Sequence, residues 1–145
     1  MQRLDFAKAS PAAYKALLGI ENTVRESGLE HSLLELVKLR ASQINGCGFC
    51  VDMHAKDARQ AGEAERRLHA VVVWRETPFF SPRERAALAW TEALTRLSQQ
   101  PALDADFMTL REHFSEREMV DLSLAISAIN SWNRLAVGFG AQPAA

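Results

Sequence analysis

Apolar side chains recur every three to four positions along most of this chain, the period of an α-helix that buries one face. Polar and charged residues fill the positions between them, so the segments are amphipathic. The pattern predicts six or seven helices. They cover Pro11 to Gly28, His31 to Ile44, Cys47 to Gly62, Glu63 to Arg75, Pro82 to Leu97, Asp104 to His113, and Ser115 to Gly138.

Local signals mark the ends of several helices. Ser10-Pro11 is an N-cap followed by proline at the first helical position. Two segments, Ser81-Pro82-Arg83-Glu84 and Ser115-Glu116-Arg117-Glu118, have the pattern of a capping box. Pro101 follows the fifth helix. The β-branched run Ala70–Trp74 lies between helical patterns and has no partner segment, so we predict no strand and an all-α fold.

Composition limits the class of protein. The chain has 145 residues, of which 48% are hydrophobic and 24% charged, so we expect one soluble globular domain spanning residues 1–145. The net charge of -1 argues against a nucleic-acid partner, which requires a basic patch. No signal peptide and no apolar run long enough to span a bilayer are visible, so we expect a cytoplasmic protein without a membrane partner.

The candidate chemistry centres on two cysteines three positions apart. Cys47 and Cys50 follow the turn signal Asn45-Gly46 and begin a predicted helix, and His54 comes one turn after Cys50. At 3.6 residues per turn the three side chains share one helix face. The first turn of a helix favours negative charge, which lowers the pKa of a thiol and promotes the reactive thiolate. This arrangement predicts a redox-active pair that attacks a peroxide or exchanges with another disulfide.

Other interpretations of the pair remain open. A single C-x-x-C can be half of a zinc site, in which Cys47, Cys50 and His54 need a fourth ligand such as His31, His69 or a carboxylate. Two buried, inert cysteines are also possible. A thioredoxin fold is less favoured, because it requires a βαβ framework that the pattern lacks.

Glu35 is a further candidate, twelve positions before Cys47. If the two helices fold antiparallel, its carboxylate faces the middle of the cysteine helix and can relay a proton. The competing interpretation is local, because Ser32-Leu33-Leu34-Glu35 has the pattern of a capping box. Spacing alone does not decide between these two roles.

Several segments together resemble a known family. Glu35–Arg40, Gln43–Cys50 and His54 are similar to the alkylhydroperoxidase AhpD branch of the carboxymuconolactone decarboxylase superfamily. The segments 78–86 and 128–135 resemble later helices of that family. The family pattern is Glu, eleven residues, C-x-x-C, three residues and His, and this chain matches all four positions. The combined pattern is far more specific than C-x-x-C alone.

The resemblance implies an AhpD-like helical bundle that assembles as a homotrimer or homohexamer. It implies a thiol-dependent peroxidase or dithiol–disulfide oxidoreductase in antioxidant defence, with no cofactor and no metal. By this resemblance Cys50 is the peroxidatic thiol, Cys47 the resolving thiol, and Glu35 and His54 the proton relay. The expected partners are a hydroperoxide, a lipoyl-type or thioredoxin-like dithiol donor, and a peroxiredoxin to which the pair passes electrons.

The chain departs from the family at Phe49. The best-studied AhpD proteins have a second histidine immediately before the second cysteine, where this chain has Phe49. We therefore expect a shorter relay, or a water in place of that histidine. A lactone decarboxylase of the same superfamily is a further alternative, although those members generally lack the cysteine pair.

Overall fold

The computed structural model describes residues 1–99 and 103–145. Within these ranges it contains eight α-helices and no strand, which confirms the all-α prediction. The helices are α1 (Phe6–Ala9), α2 (Pro11–Arg25), α3 (His31–Ile44), α4 (Gly48–Gln60), α5 (Glu65–Ala70), α6 (Pro82–Thr95), α7 (Asp104–Arg111) and α8 (Glu116–Phe139). Pro101, which the sequence places after the fifth predicted helix, lies outside the described residues.

The helix count exceeds the predicted six or seven because of the N-terminal segment. Helix α1 has four residues, and its N-cap Asp5 accepts a hydrogen bond from the backbone N–H of Lys8. One turn is too short to show a hydrophobic period, so the pattern along the sequence does not reveal it. The predicted capping boxes at Ser81 and Ser115 are both formed.

The predicted helix Glu63 to Arg75 is interrupted. Helix α5 ends at Ala70, and a 3₁₀ segment covers Val71–Glu76 with a non-helical residue at Val73. Consecutive β-branched side chains restrict χ1 and weaken an α-helix, while burial of Val71 and Trp74 fixes this segment against the core. The β-branched run therefore ends the helix without forming a strand.

Helix α3 is the centre of the molecule and packs against α4, α6 and α8. Nine of its fourteen residues are buried, so this helix is covered on nearly all sides. One core cluster joins α3 to α6, α7 and α8 through Leu33, Leu110 and Ile126. A second cluster joins α3 to α4, α5 and the 3₁₀ segment. This packing places one long side of α3 directly against the helix that begins with the cysteine pair.

The longest helix, α8, has 24 residues and ends at Gly140, whose backbone is left-handed with φ 73°. No helix among the described residues is both long and apolar enough to cross a membrane.

Candidate functional site

The cysteine pair is fixed by the turn between α3 and α4. Gly46 has a φ of 65°, a left-handed conformation that favours glycine, and the next backbone N–H, of Cys47, bonds to the carbonyl of Ser42 at 3.0 Å. Cys47 is the N-cap of α4, and its sulfur accepts a hydrogen bond from the N–H of Cys50 at 3.3 Å. The turn thus places the first sulfur at the positive end of the helix dipole, as the sequence predicts.

Cys47 and Cys50 form a disulfide, with their Cα atoms 5.3 Å apart. Both are buried, with 1% of each residue exposed. They pack with Ala136 of α8, and Phe49 and Ala141 cover the cluster partly. A three-residue separation therefore closes the disulfide without breaking α4.

Glu35 and His54 meet across the interface of α3 and α4. The Nδ1 atom of His54 lies 3.1 Å from Oε2 of Glu35, and only 4% of Glu35 and 7% of His54 are exposed. The capping-box interpretation of Glu35 is wrong, because α3 has Glu30 as its N-cap and no side-chain cap. The structure therefore brings together the glutamate and histidine that the sequence singled out.

This contact determines the charge of the carboxyl group. Burial alone raises the pKa of Glu35, but the hydrogen bond and charge of His54, with the charges of Lys38 and His31, outweigh burial and hold that pKa below its usual value. Glu35 is then a carboxylate at neutral pH and acts as an acceptor. When the imidazole is neutral, this acceptor favours the tautomer in which Nδ1–H donates, and the lone pair is then on Nε2.

Nε2 of His54 has no protein hydrogen-bond partner within residues 1–99 and 103–145. The ring lies one turn after Cys50 on the same face of α4, where side chains separated by four positions are neighbours. Glu35, His54 and Cys50 therefore form a series of groups that runs from α3 to the disulfide.

The sequence did not predict the polar groups behind Glu35. The ammonium group of Lys38 lies 4.0 Å from Oε1 of Glu35 and 3.2 Å from Oε2 of Glu21. Trp132 of α8 donates its indole N–H to Oε1 of Glu21 at 3.1 Å. Lys38 thus sits between two carboxylates and offsets the cost of burying Glu35. The one sequence signal for this role of Lys38 is its position one helical turn after Glu35.

A second polar cluster supports the turn before Cys47. Asn45 donates to the side-chain oxygens of Asn130 and Asn133 at 2.9 and 3.0 Å. Asn133, which is 1% exposed, donates to the hydroxyl of Ser42 at 3.0 Å. These contacts tie the α3–α4 turn to α8. They link positions more than 80 residues apart, and no sequence pattern indicates them.

Phe49 immediately precedes the second cysteine of the pair. Its side chain is partly buried against the cysteine cluster, so an apolar ring lies beside the disulfide. Within the described residues the candidate relay consists of Glu35 and His54 alone.

A cavity of about 240 Å³ opens beside the disulfide. Its wall includes Cys47, Gly48 and Phe49 from the start of α4 and Ala136 from α8. Arg3 of the N-terminal segment lines the same space. Cys47 forms part of this wall and Cys50 does not.

The zinc interpretation requires both cysteines as thiolate ligands. Both cysteines are used in the disulfide. Among the described residues, the group whose geometry is compatible with a metal ion consists of Glu35, His54 and Asp57, with ligand atoms within 4.8 Å of one another. Neither cysteine belongs to it, and His69 lies beside Glu65 instead.

Comparisons with known proteins agree with this architecture. Residues 11–93 match the Carboxymuconolactone decarboxylase family. The chain is 39% identical to the uncharacterized protein YdfG of Bacillus subtilis, over 99% of this chain and 97% of that one. A 44% identical stretch of the alkyl hydroperoxide reductase AhpD of Rhizorhabdus wittichii covers 30% of this chain and 25% of that protein.

Among solved structures, the fold superimposes with a TM-score of 0.97 on an Agrobacterium tumefaciens protein of unknown function, proposed to be the antioxidant defence protein AhpD. The two are 50% identical over 100% of this chain and 99% of that one. The similarity over the whole chain agrees with the arrangement of helices around α3.

Proposed function

The chain belongs to the carboxymuconolactone decarboxylase family and fits its AhpD-like branch, and we propose that it is a thiol-dependent peroxidase and dithiol–disulfide oxidoreductase. The observation that carries the proposal is the Cys47–Cys50 disulfide at the start of α4, with the buried Glu35–His54 pair one turn away. A structural disulfide does not require a carboxylate and an imidazole beside it, whereas a pair that gains and loses protons in each cycle does.

In the oxidising half of the cycle, the thiolate of Cys50 attacks the distal oxygen of a hydroperoxide. The O–O bond breaks, the alcohol leaves with one proton, and Cys50 becomes a sulfenic acid. His54 on the same helix face takes the thiol proton through Nε2 and returns it to the leaving alkoxide. Glu35 stabilises the imidazolium that forms between these two steps.

The thiol of Cys47 then condenses with the sulfenic acid of Cys50. The new S–S bond forms as one water molecule leaves, which gives the disulfide that the structure contains. An external dithiol returns two electrons and two protons by thiol–disulfide exchange and is itself oxidised to a disulfide. One peroxide is reduced for each dithiol oxidised.

The decisive experiment is mass spectrometry of the intact, reduced protein before and after a short peroxide pulse. We expect a loss of two hydrogens, which a dithiol reverses. A protein whose mass stays unchanged at peroxide concentrations that oxidise ordinary thiols would contradict the proposal.

Single cysteine variants assign the two roles. Cys50→Ser is expected to abolish peroxide turnover with dithiothreitol as donor. Cys47→Ser is expected to retain one round of reaction and to accumulate a sulfenic acid or a mixed disulfide at Cys50. Full turnover by Cys50→Ser would overturn the assignment of the peroxidatic thiol.

A second candidate is electron transfer to the disulfide of a peroxiredoxin. It is favoured by the cavity whose wall includes Cys47, because exchange with a partner's disulfide needs open space beside the pair. In this case the reduced protein would react slowly with peroxide alone and rapidly with an oxidised peroxiredoxin. Stopped-flow measurement of both reactions separates the two candidates.

The family also includes lactone decarboxylases. The cysteine pair argues against that activity here, because decarboxylation needs no change in thiol oxidation state. Turnover of a muconolactone by the Cys47→Ser/Cys50→Ser double variant would restore the decarboxylase interpretation.

A further inference from the structure

We propose that Glu35, His54 and Asp57 bind a divalent transition-metal ion such as Zn²⁺, and that the bound ion removes His54 from the proton relay. This set contains neither cysteine, so it differs from a zinc site built on the C-x-x-C pair. Binding of the ion stands apart from the proposed function, whereas its effect on the reaction with peroxide rests on that function.

The first argument is the position of the ligand atoms. One ligand atom from each of the three residues lies within 4.8 Å of the other two. Nδ1 of His54 and Oε2 of Glu35 are 3.1 Å apart. Two ligand atoms bound at about 2.1 Å to one tetrahedral ion are about 3.4 Å apart. The buried pair therefore already has close to the required spacing, and rotation of the exposed Asp57 side chain brings in the third ligand.

The second argument is the chemistry of the donors and their places on the helices. His54 and Asp57 are three positions apart on one face of α4, and Glu35 faces them from α3. An imidazole nitrogen with two carboxylate oxygens suits Zn²⁺ and its neighbours in the first transition row, and it is a poor set for Ca²⁺ or Mg²⁺. His31 is the available fourth ligand, because its 64% exposed side chain places Nε2 4.0 Å from Oε1 of Glu35.

The third argument is the charge of this region. Lys38 is the one ammonium group beside Glu35, at 4.0 Å, and it lies closer to Glu21, at 3.2 Å. With Asp57 added, three carboxylates face one ammonium group, which leaves two negative charges for a divalent ion to neutralise. Lys38 keeps its contact with Glu21 when Glu35 binds the ion.

Asp57 provides both a free ligand and a route to the surface. Its charged neighbours on α4 are paired elsewhere, Lys56 with Asp52 at 3.5 Å and Arg59 with Glu65. Within residues 1–99 and 103–145, Asp57 itself has no ion-pair partner. Because Asp57 is exposed while the other two ligands are buried, an ion enters from solvent at Asp57.

The bound ion changes the relay without touching the disulfide. Metal-free, Nδ1 of the neutral His54 ring donates to Glu35 and Nε2 carries the lone pair. An ion on Nδ1 places the one ring proton on Nε2, so Nε2 has no lone pair to accept the proton of the Cys50 thiol. No group is oxidised or reduced in this step, and a chelator reverses it.

The first test is calorimetric titration of the oxidised, untagged protein with ZnCl₂. Both cysteines are held in the disulfide, so thiolates do not contribute to binding. We expect one ion per chain. Asp57→Asn, at an exposed position that the fold tolerates, is expected to weaken binding by about tenfold or more. No binding by the wild-type protein, or wild-type affinity in Asp57→Asn, would overturn the inference.

The matched control is His69→Gln. The side chain of His69 is 81% exposed, and its Nε2 lies 3.5 Å from Oε2 of Glu65, four positions earlier. This pair offers the same ligand types without a facing helix. We expect His69→Gln to keep the wild-type affinity. Equal weakening by His69→Gln and Asp57→Asn would show that zinc binds only at scattered surface groups, and the inference would fail.

Nitrogen-15 NMR of the histidine side chains identifies the ligand directly. His54→Gln assigns the His54 signals in the oxidised protein. We expect Zn²⁺ to shift the Nδ1 signal of His54 toward that of a metal-bound nitrogen. Shifts confined to the other histidines would overturn the inference, whatever the calorimetry shows.

The effect on the reaction is measured in Cys47→Ser, reduced and then freed of reductant, because dithiols bind zinc. A peroxide pulse forms a sulfenic acid at Cys50, which mass spectrometry counts. We expect Zn²⁺ to slow this step by about tenfold or more, and Asp57→Asn in the same background to relieve most of the inhibition. Equal inhibition in both proteins would show that zinc acts on Cys50 directly, and the effect on the relay would be excluded.

The outcomes separate the inference from the proposed function. If zinc does not bind the oxidised protein but peroxide forms the disulfide, the inference fails and the redox function stands. If zinc binds at His54 but peroxide leaves the reduced wild-type protein unchanged, the metal site stands and the proposed function fails.

Discussion

Nδ1 of His54 lies 3.1 Å from Oε2 of Glu35, and this contact joins α4 to α3 in the interior of the protein. The two residues are 19 positions apart in sequence, and both are buried. A carboxylate that holds one ring nitrogen leaves the other free to exchange a proton. In the proposed cycle, this free nitrogen exchanges the proton of the Cys50 thiol.

Glu35→Gln keeps the shape of the side chain and removes its charge. We expect peroxide turnover with a dithiol donor to fall by about 100-fold, the usual contribution of one acid–base group. The pH profile of turnover should also change shape, which a purely structural role would not cause. Turnover is measured from pH 5 to 9 by consumption of peroxide.

The control for this variant is Glu21→Gln. Glu21 is also partly buried and also contacts Lys38, but its partners are Lys38 and Trp132 and not His54. It is expected to keep wild-type turnover and pH profile. Equal losses in both variants would show that Glu35 acts only through the charge balance around Lys38.

The buried carboxylate Glu92 predicts acid sensitivity. Burial raises the pKa of Glu92, but hydrogen bonds from Arg75, Arg40 and Trp74 outweigh burial and hold it below its ordinary value of 4.5. Near pH 4.5 the unfolded chain thus binds more protons than the native one. The contribution of Glu92 to the free energy of unfolding is therefore fully present above pH 4.5. It is lost as the pH falls through the lower pKa that Glu92 has in the folded protein.

Glu92→Gln should cost about 3 kcal/mol at pH 7, because it leaves Arg40 buried without its charge partner. The difference from wild type should shrink as the pH falls toward 3. Urea unfolding at pH 3, 5 and 7 measures both effects. Glu76→Gln, at an exposed carboxylate, is the control, and a cost at Glu92 that is independent of pH would contradict the prediction.

Asn133→Ala should destabilise the turn before the cysteine pair. It removes one of the two acceptors of Asn45 and the donor to the hydroxyl of Ser42. We expect a loss of about 1–3 kcal/mol in the free energy of unfolding. Ser127→Ala, at an exposed hydroxyl on the same helix, should change it by less than about 0.5 kcal/mol. Similar losses of stability in Asn133→Ala and Ser127→Ala would show that the asparagine contacts do not stabilise the turn.

Gly140→Ala should destabilise the protein by about 1–2 kcal/mol, because φ is 73° and the new Cβ would lie 2.7 Å from the carbonyl oxygen of Met1. Gly19→Ala is the opposite case, since Gly19 lies inside α2 with open space around it, and it should stabilise by about 0.5–1 kcal/mol. Thermal melting checks both predictions: the Tm should fall in Gly140→Ala and rise in Gly19→Ala. A stable Gly140→Ala protein would mean that the N-terminal segment is not held as the structure shows.

Much of this protein is determined locally by its sequence. Caps at Ser10, Ser81 and Ser115 and the period of apolar residues specify most of the helices, because they act within one or two turns. The spacing of Cys47 and Cys50 likewise fixes their proximity, since three residues span less than one turn. Local rules fail at Val71–Glu76, where burial of Trp74 and the β-branched side chains end α5 early.

The role of Glu35 was not decided by the sequence, because a capping box and an inward carboxylate have the same local pattern. Packing of α3 against α4 decided it by burying Glu35 against His54. The asparagine contacts and the position of Arg3 beside Cys47 also arise only in three dimensions, because each joins segments more than 40 residues apart. Sequence thus determined the close spacing of the cysteine pair, because that spacing is local, and tertiary packing determined which carboxylate lies against His54, because that contact joins two helices.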